Sequence, residues 1–141
     1  MVWTPDRRFV LGGLATAAAF PLGRARAHAQ SQPRIVVVGG GFGGASAARY
    51  IKQFLPAATV TLVEPMKVYT ACPFSNLVIA GLRDMRAQEF GYQAFGDVGI
   101  DVIHQRAEDV DPETHTVTLA SGETLGYDRL VLSPGIDMRW N

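Results

Sequence analysis

The chain has 141 residues, with 13 Lys and Arg balanced by 13 Asp and Glu, three His and a single Cys. This length allows one domain at most, and balanced charge excludes a nucleic-acid partner, which needs a basic face to neutralise phosphates. A composition 48% hydrophobic and 18% charged excludes a disordered tail, while one cysteine excludes an intramolecular disulfide and a cysteine-rich zinc site.

Residues 1–29 read as an export signal. Arg7-Arg8 precede the apolar run Val10–Leu22, and Ala27-His28-Ala29 is a small-x-small cleavage site. The run has 13 residues, against the roughly 20 a membrane-spanning helix needs, so no stable membrane anchor is expected. Charge, apolar stretch and cleavage site in that order predict a periplasmic protein exported by the twin-arginine route. Removal of 1–29 takes away four Arg and one Asp and leaves 9 basic against 12 acidic residues, a mature charge of −3. Residues 30–141 then form the folded segment.

From Arg34 the pattern is βαβ. Ile35-Val36-Val37-Val38 is the β-branched run of a parallel strand buried on both faces, and it breaks at five residues of which four are Gly. Ala45, Ala47, Ala48, Tyr50, Ile51, Phe54 and Leu55 give a helical pattern stopped by Pro56. Thr59–Val63 is a second strand, closed by Glu64-Pro65. Met66–Ala71 reads as loop, Ser75–Ala80 as a helical turn or two ended by Gly81, and Gln88–Phe95 as a further helix. Ile100–Ile103 is expected to be the third parallel strand. Val110-Asp111-Pro112, Thr114–Leu119 and Glu123–Leu125 suggest a small antiparallel β-meander around Ser121-Gly122. Leu130–Leu132 is a last buried strand that runs into Ser133-Pro134-Gly135. The fold class is therefore α/β, a Rossmann-like parallel sheet with a small antiparallel meander.

Gly39, Gly41 and Gly44 satisfy G-x-G-x-x-G within Gly39-Gly40-Gly41-Phe42-Gly43-Gly44. Gly39 permits the tight turn, Gly41 lets backbone approach a pyrophosphate, and Gly44 lets helix pack on strand. The helix N-terminus then faces the phosphates with its positive dipole end. Glu64 stands 20 residues after Gly44 at the end of the second strand, where a carboxylate accepts hydrogen bonds from adenosine ribose hydroxyls. An acidic residue there favours FAD or NAD over NADP. Tyr127-Asp128 leading through Leu130-Val131-Leu132 into Pro134-Gly135 is similar to the second flavin motif of two-dinucleotide-binding-domain flavoproteins, which favours FAD over a nicotinamide.

Residues Arg34–Ile136 resemble the N-terminal FAD-binding part of the flavoprotein subunit of flavocytochrome c sulfide dehydrogenase. The resemblance rests on Gly39–Gly44, Thr61–Pro65, Tyr69-Thr70, Cys72, Ser75-Asn76 with Val78-Ile79, and Gly126-Tyr127-Asp128 leading to Pro134-Gly135-Ile136. It implies FAD held covalently through the Cys72 sulfur to the flavin 8α-methyl carbon, electron transfer from sulfide, and a cytochrome c subunit or soluble cytochrome c as partner. Such a bond asks for an exposed, activated thiolate at the ring edge; the bland reading of Cys72 is a small buried apolar residue. Eight extended residues from Glu64 to Cys72 span about 26–29 Å, enough to follow the cofactor to its ring. Pro73 departs from an unconstrained loop by removing a backbone donor and restricting Cys72.

The redox-active cysteine pair of the resembled family is absent from this sequence, and the resemblance implies a truncated two-domain flavoprotein whose catalytic residues are unknown. The alternatives are an inactive FAD-binding fragment and a nicotinamide- or S-adenosylmethionine-binding Rossmann module. His104 and His115 have no triad partners or metal spacing and read as surface or strand-end residues; no metal site is expected. Asp109, Asp111 and Glu113 lack the glycine and closing glutamate of a calcium loop.

Overall fold

Alternation along β1 (Arg34–Val38) decides the architecture. Its neighbouring side chains point to opposite faces, and both faces are covered. Ile35 and Val37 join Val60, Leu62 and Ile100 in one apolar cluster, whereas Val36 joins Val63, Val117 and Leu119 in a second. The computed structural model describes residues 32–136; the expected export signal over residues 1–29 and the residues after Ile136 lie outside the described part.

The central sheet has the order β5-β2-β1-β9 and is parallel throughout. Here β2 is Thr59–Val63, β5 Ile100–Ile103 and β9 Arg129–Leu132. Helix α1 (Phe42–Phe54) joins β1 to β2 and packs Ala48 into the first cluster. The opposite face is covered by β6 (Ala107–Asp111), β7 (Thr116–Leu119) and β8 (Thr124–Gly126), an antiparallel three-stranded sheet. Val117 and Leu119, both fully buried, are the meander's contribution to the core.

Three local expectations are corrected. Met66–Ala71 is not all loop: β3 (Val68–Thr70) pairs antiparallel with β4 (Glu89–Gly91). That pairing also displaces the helix expected over Gln88–Phe95, leaving only α3 (Gln93–Asp97); eighteen residues lie between Thr70 and Glu89, too many for a short-range hairpin signal. Between β3 and β4 lie α2 (Ser75–Ile79) and a 3-10 turn over Met85–Gln88. Finally, among the described residues β9 is an edge strand rather than a buried one, with Leu132 exposed. Helix α1 follows the glycine turn at once, as expected, with Phe42 and Gly43 in its first turn ahead of the apolar pattern that starts at Ala45.

Arg34 and Asp128, at the starts of β1 and of the segment leading into β9, meet across the sheet. The Arg34 backbone N–H and guanidinium donate to the Asp128 carboxylate at 2.7 and 3.3 Å, and the Asp128 N–H donates to the Arg34 carbonyl at 2.8 Å. The Arg34 N–H, followed by its side chain, holds the Asp128 carboxyl below the usual carboxylate range. This pairing sets β9 in register with β1, Ile35 opposite Arg129 and Val38 opposite Leu132.

Candidate functional site

All four strands of the parallel sheet end on the same side, and the glycine loop between β1 and α1 lies there. Gly39 has φ +95°, a left-handed conformation that favours glycine, and its N–H donates to the Val63 carbonyl at 2.8 Å. A Cβ on Gly39 would run into the Ser133 carbonyl; one on Gly44 would run into the Gly39 carbonyl. Turn tightness and helix-to-strand packing, the roles expected of Gly39 and Gly44, are thus both visible as backbone-to-backbone approaches. Gly41 differs: a Cβ there would meet only the Tyr69 ring, at 3.7 Å. Space is left above its backbone.

Gly41 is the N-cap of α1, with no side-chain cap and no acidic residue in the first turn. The first helical bond runs from the Ala45 N–H to the Gly41 carbonyl, so the helix start presents donors and a positive dipole end without a resident counter-charge. Phe42 is more than half exposed beside it and meets the Tyr69 ring edge-on, with centroids 5.5 Å apart.

Glu64 is half-buried and committed to the loop. One carboxylate oxygen accepts from the Gly40 N–H at 2.7 Å, the other from the Met66 N–H at 2.8 Å. Each oxygen retains a second lone pair. On the other side of Gly40 the Tyr92 hydroxyl donates to its carbonyl at 2.9 Å. Tyr92 is buried, and burial first, then the Glu64 charge and Tyr69, pushes its hydroxyl up to about 12. His104 Nδ1 lies 3.0 Å from the Glu64 carbonyl, which makes it a strand-end residue; His115, with φ +55°, stacks on Tyr127 in the meander.

A cleft of about 310 Å³ brings together Gly39, Gly41, Phe42, Gly43, Glu64, Pro134 and Gly135, seven of the ten residues singled out from the sequence. Gly40 and Gly44 are buried beneath the loop. The Ser133 N–H donates to the Val38 carbonyl at 2.8 Å, and a Cβ on Gly43 would come within 2.6 Å of Ser133 Oγ; the second motif therefore forms a wall of the first. A second cleft of about 370 Å³ lies between α1 and the β3–β4 pair, with Phe42, Arg49, Tyr69, Ala71 and Phe90 in its lining. Cys72 lies in neither lining. It is exposed, follows Ala71 at the end of β3, and its carbonyl accepts from both the Ser75 N–H and hydroxyl. The bland expectation of a buried thiol does not hold.

Residues 33–140 match the family of pyridine nucleotide-disulphide oxidoreductases. The chain belongs to that family. Over 45 residues, 32% of its length, it is 60% identical to the flavoprotein chain of the flavocytochrome c sulfide dehydrogenase of Chlorobaculum thiosulfatiphilum and covers 94% of that sequence. It is 29% identical over 113 residues to the sulfide-quinone reductase of Aquifex aeolicus, covering 72% of this chain and 24% of the relative. The solved sulfide:quinone oxidoreductase of Aquifex aeolicus superposes with a TM-score of 0.72 at 28% identity, over 77% of this chain and 25% of that one. The chain spans about a quarter of the length of that reductase. The Rossmann-type fold read from the sequence is the fold of these relatives.

Sequence reasoning missed Tyr92 as part of the site, and it quoted Tyr69 and Ser133 within motifs without giving either a role of its own. Tyr92 lies 52 residues from Gly40, and no local pattern marks it; it was absorbed into an expected helix. Arg106 was also missed: it lines a third cleft with Glu64 and Pro134, and only the end-on alignment of the β5 and β2 termini brings it there.

Proposed function

We propose that this oxidoreductase is an exported FAD-binding protein of the sulfide-oxidising type, passing electrons from sulfide toward a cytochrome c. The observation that carries the flavin reading is the open start of α1, uncapped and without an acidic first-turn residue, facing a cleft that Glu64 and Pro134-Gly135 close on its two sides. The groups present fit a dinucleotide. The open approach to the Gly41 backbone suits a pyrophosphate, and the second lone pairs of the Glu64 oxygens suit ribose hydroxyls. Gly39, Gly40, Gly41, Phe42, Gly43 and Gly44 would hold the phosphates, Glu64 the adenosine ribose, and Pro134-Gly135 the far wall. When bound, FAD supplies two-electron acceptance from a reduced sulfur substrate and release of electrons to a partner.

Cys72 is the residue that would bond the flavin covalently, at its sulfur. Its exposure meets the access a thioether demands, and kinship with the sulfide dehydrogenase flavoprotein supports it. A thioether also removes a thiol that an oxidising compartment would expose to mixed disulfides. Export rests on the order of charge, apolar run and cleavage site in residues 1–29, and the cytochrome partner on the same relative.

Acid precipitation and intact mass test the reading. The expressed protein should stay yellow in the pellet and carry one FAD in its mass, whereas Cys72→Ala should release all of its flavin to the supernatant. A colourless pellet at the apo mass overturns the thioether. Failure to bind FAD at all, with NAD bound instead, overturns the flavin reading in favour of a nicotinamide module. A periplasmic protein beginning at Gln30 is the expected export product, and retention of Met1 in the cytoplasm refutes that part.

A further inference from the structure

Gly40 is held by its neighbours from both ends of its own peptide groups. Its N–H is taken by Glu64 and its carbonyl by Tyr92, and a Cβ on it would lie 2.7 Å from the Tyr92 oxygen and 2.8 Å from Glu64 Cγ. The ring and the carboxylate stem therefore clasp the Gly40 α-carbon. A trans peptide is planar, so the Gly40 carbonyl and the Gly41 N–H point in opposite directions across one rigid unit. A bond that fixes the carbonyl toward the buried Tyr92 thereby fixes the Gly41 N–H away from it. Gly39, Gly40 and Gly41 are consecutive glycines, the sequence in which a peptide plane rotates with least steric resistance.

We infer that Tyr92 is the positioning residue of the glycine loop: its hydroxyl locks the Gly40–Gly41 peptide so that the Gly41 N–H faces the anionic, pyrophosphate part of a dinucleotide. This rests on the dinucleotide reading given above. Tyr92 is suited to the task by placement. It follows β4 directly, is 5% exposed, and packs against Phe95 and His104 with ring centroids 5.8 Å away. His104 in turn holds the Glu64 carbonyl, so the two partners of Gly40 are braced by one another. The hydroxyl remains protonated, and therefore a donor, at every pH at which the protein would work. A wholly structural tyrosine would fill the same cavity with its ring; the hydroxyl bond to a loop carbonyl is what the positioning role requires.

Tyr92→Phe in a Cys72→Ala background keeps the ring and removes the hydroxyl. Dissociation constants for FAD and for ADP, measured by titration calorimetry, should both rise about fivefold to tenfold, the worth of one hydrogen bond. Amide exchange in the nucleotide-free protein supplies a readout independent of binding. Opening of the Gly40 amide, itself bonded to Glu64, is opposed by the Tyr92 bond to the carbonyl of the same residue, so this amide should exchange about fivefold to tenfold faster in the variant, while the Val37 and Val60 amides of the sheet stay protected. The Gly41 amide resonance should shift on addition of ADP to the parent and shift less in the variant. Unchanged Gly40 exchange together with unchanged affinity overturns the inference. If the parent binds neither FAD nor ADP, the dinucleotide reading fails, and the exchange arm still decides whether Tyr92 holds the loop. Should the variant lose sheet protection as well, the Tyr92 hydroxyl proton of the parent decides. A slowly exchanging signal with a cross-peak to Gly40 supports the lock, and its absence refutes it.

Discussion

Gly44 and Gly96 make a matched experiment, because the same Gly→Ala change meets opposite surroundings. Both lie in helices, where alanine is favoured over glycine by about 1 kcal/mol. At Gly96 nothing lies within 4 Å of an added Cβ. At Gly44 the methyl collides with the Gly39 carbonyl oxygen and lies 2.9 Å from its carbon and 3.4 Å from Val37 Cγ1. The obstacle is backbone, itself fixed by the Gly39 bond to Val63, so α1 must retreat from β1 by about an ångström against a cost of ~1–3 kcal/mol or more for overpacking. Retreat also loosens Ala48, which is fully buried against the sheet. We expect Gly44→Ala to lower unfolding free energy by about 2 kcal/mol after the helical gain, and Gly96→Ala to raise it by about 0.4–1 kcal/mol. With a urea slope of about 1 kcal/mol/M for a domain of this size, the two midpoints should separate by roughly 2–3 M. Circular dichroism at 222 nm under increasing urea reads both. A Gly44→Ala protein as stable as its parent would refute the helix-to-loop contact as drawn.

Leu62→Ala, at a fully buried position of β2, should cost about 2–5 kcal/mol in the same urea assay; a loss under 1 kcal/mol would mean that the two faces of the sheet are less well filled than described. The Asp128 carboxyl is depressed below its unfolded value by the Arg34 N–H and side chain, so its stabilisation is complete above the unfolded pKa and is lost as pH falls through the lower folded one. Asp128→Asn should therefore flatten the acid limb of the stability profile below about pH 4, and an unaltered limb would discount that bond. Tyr92 titrates with the opposite sense. Its folded value of about 12 against 10.0 unfolded means that stability holds below pH 10 and falls as pH rises toward 12; Tyr92→Phe should remove that alkaline loss, measured by thermal melts across the range.

Much of the parallel sheet was legible because its strands are continuous β-branched runs bounded by glycine or proline. Ile35–Val38 and Thr59–Val63 carry their burial in their composition, and Gly39 to Gly44 carry the turn geometry in their spacing. Parts that depend on distant partners were not legible. Val68–Thr70 is a strand only because Glu89–Gly91 lies beside it, and neither segment alternates strongly enough to show this alone. Leu130–Leu132 has the apolar composition of an interior strand yet occupies an edge of the described sheet. Within the site, glycines and Glu64 were readable because their chemistry is local. Tyr92 was not, because its one polar atom acts on a residue 52 positions away.

The pairing of β9 with β1 also imposes a timetable. The strand that starts the glycine loop is made first and the strand that completes its wall, Arg129–Leu132, almost a hundred residues later. At translation speeds of about 5–20 residues per second, several seconds pass in which Val38 lacks its Ser133 donor and the loop is closed on one side only. Long-range pairing of this kind is slow to form even on a finished chain. The glycine-loop corner is thus the last part of the described sheet to be completed, although its first residues follow the first of the described strands.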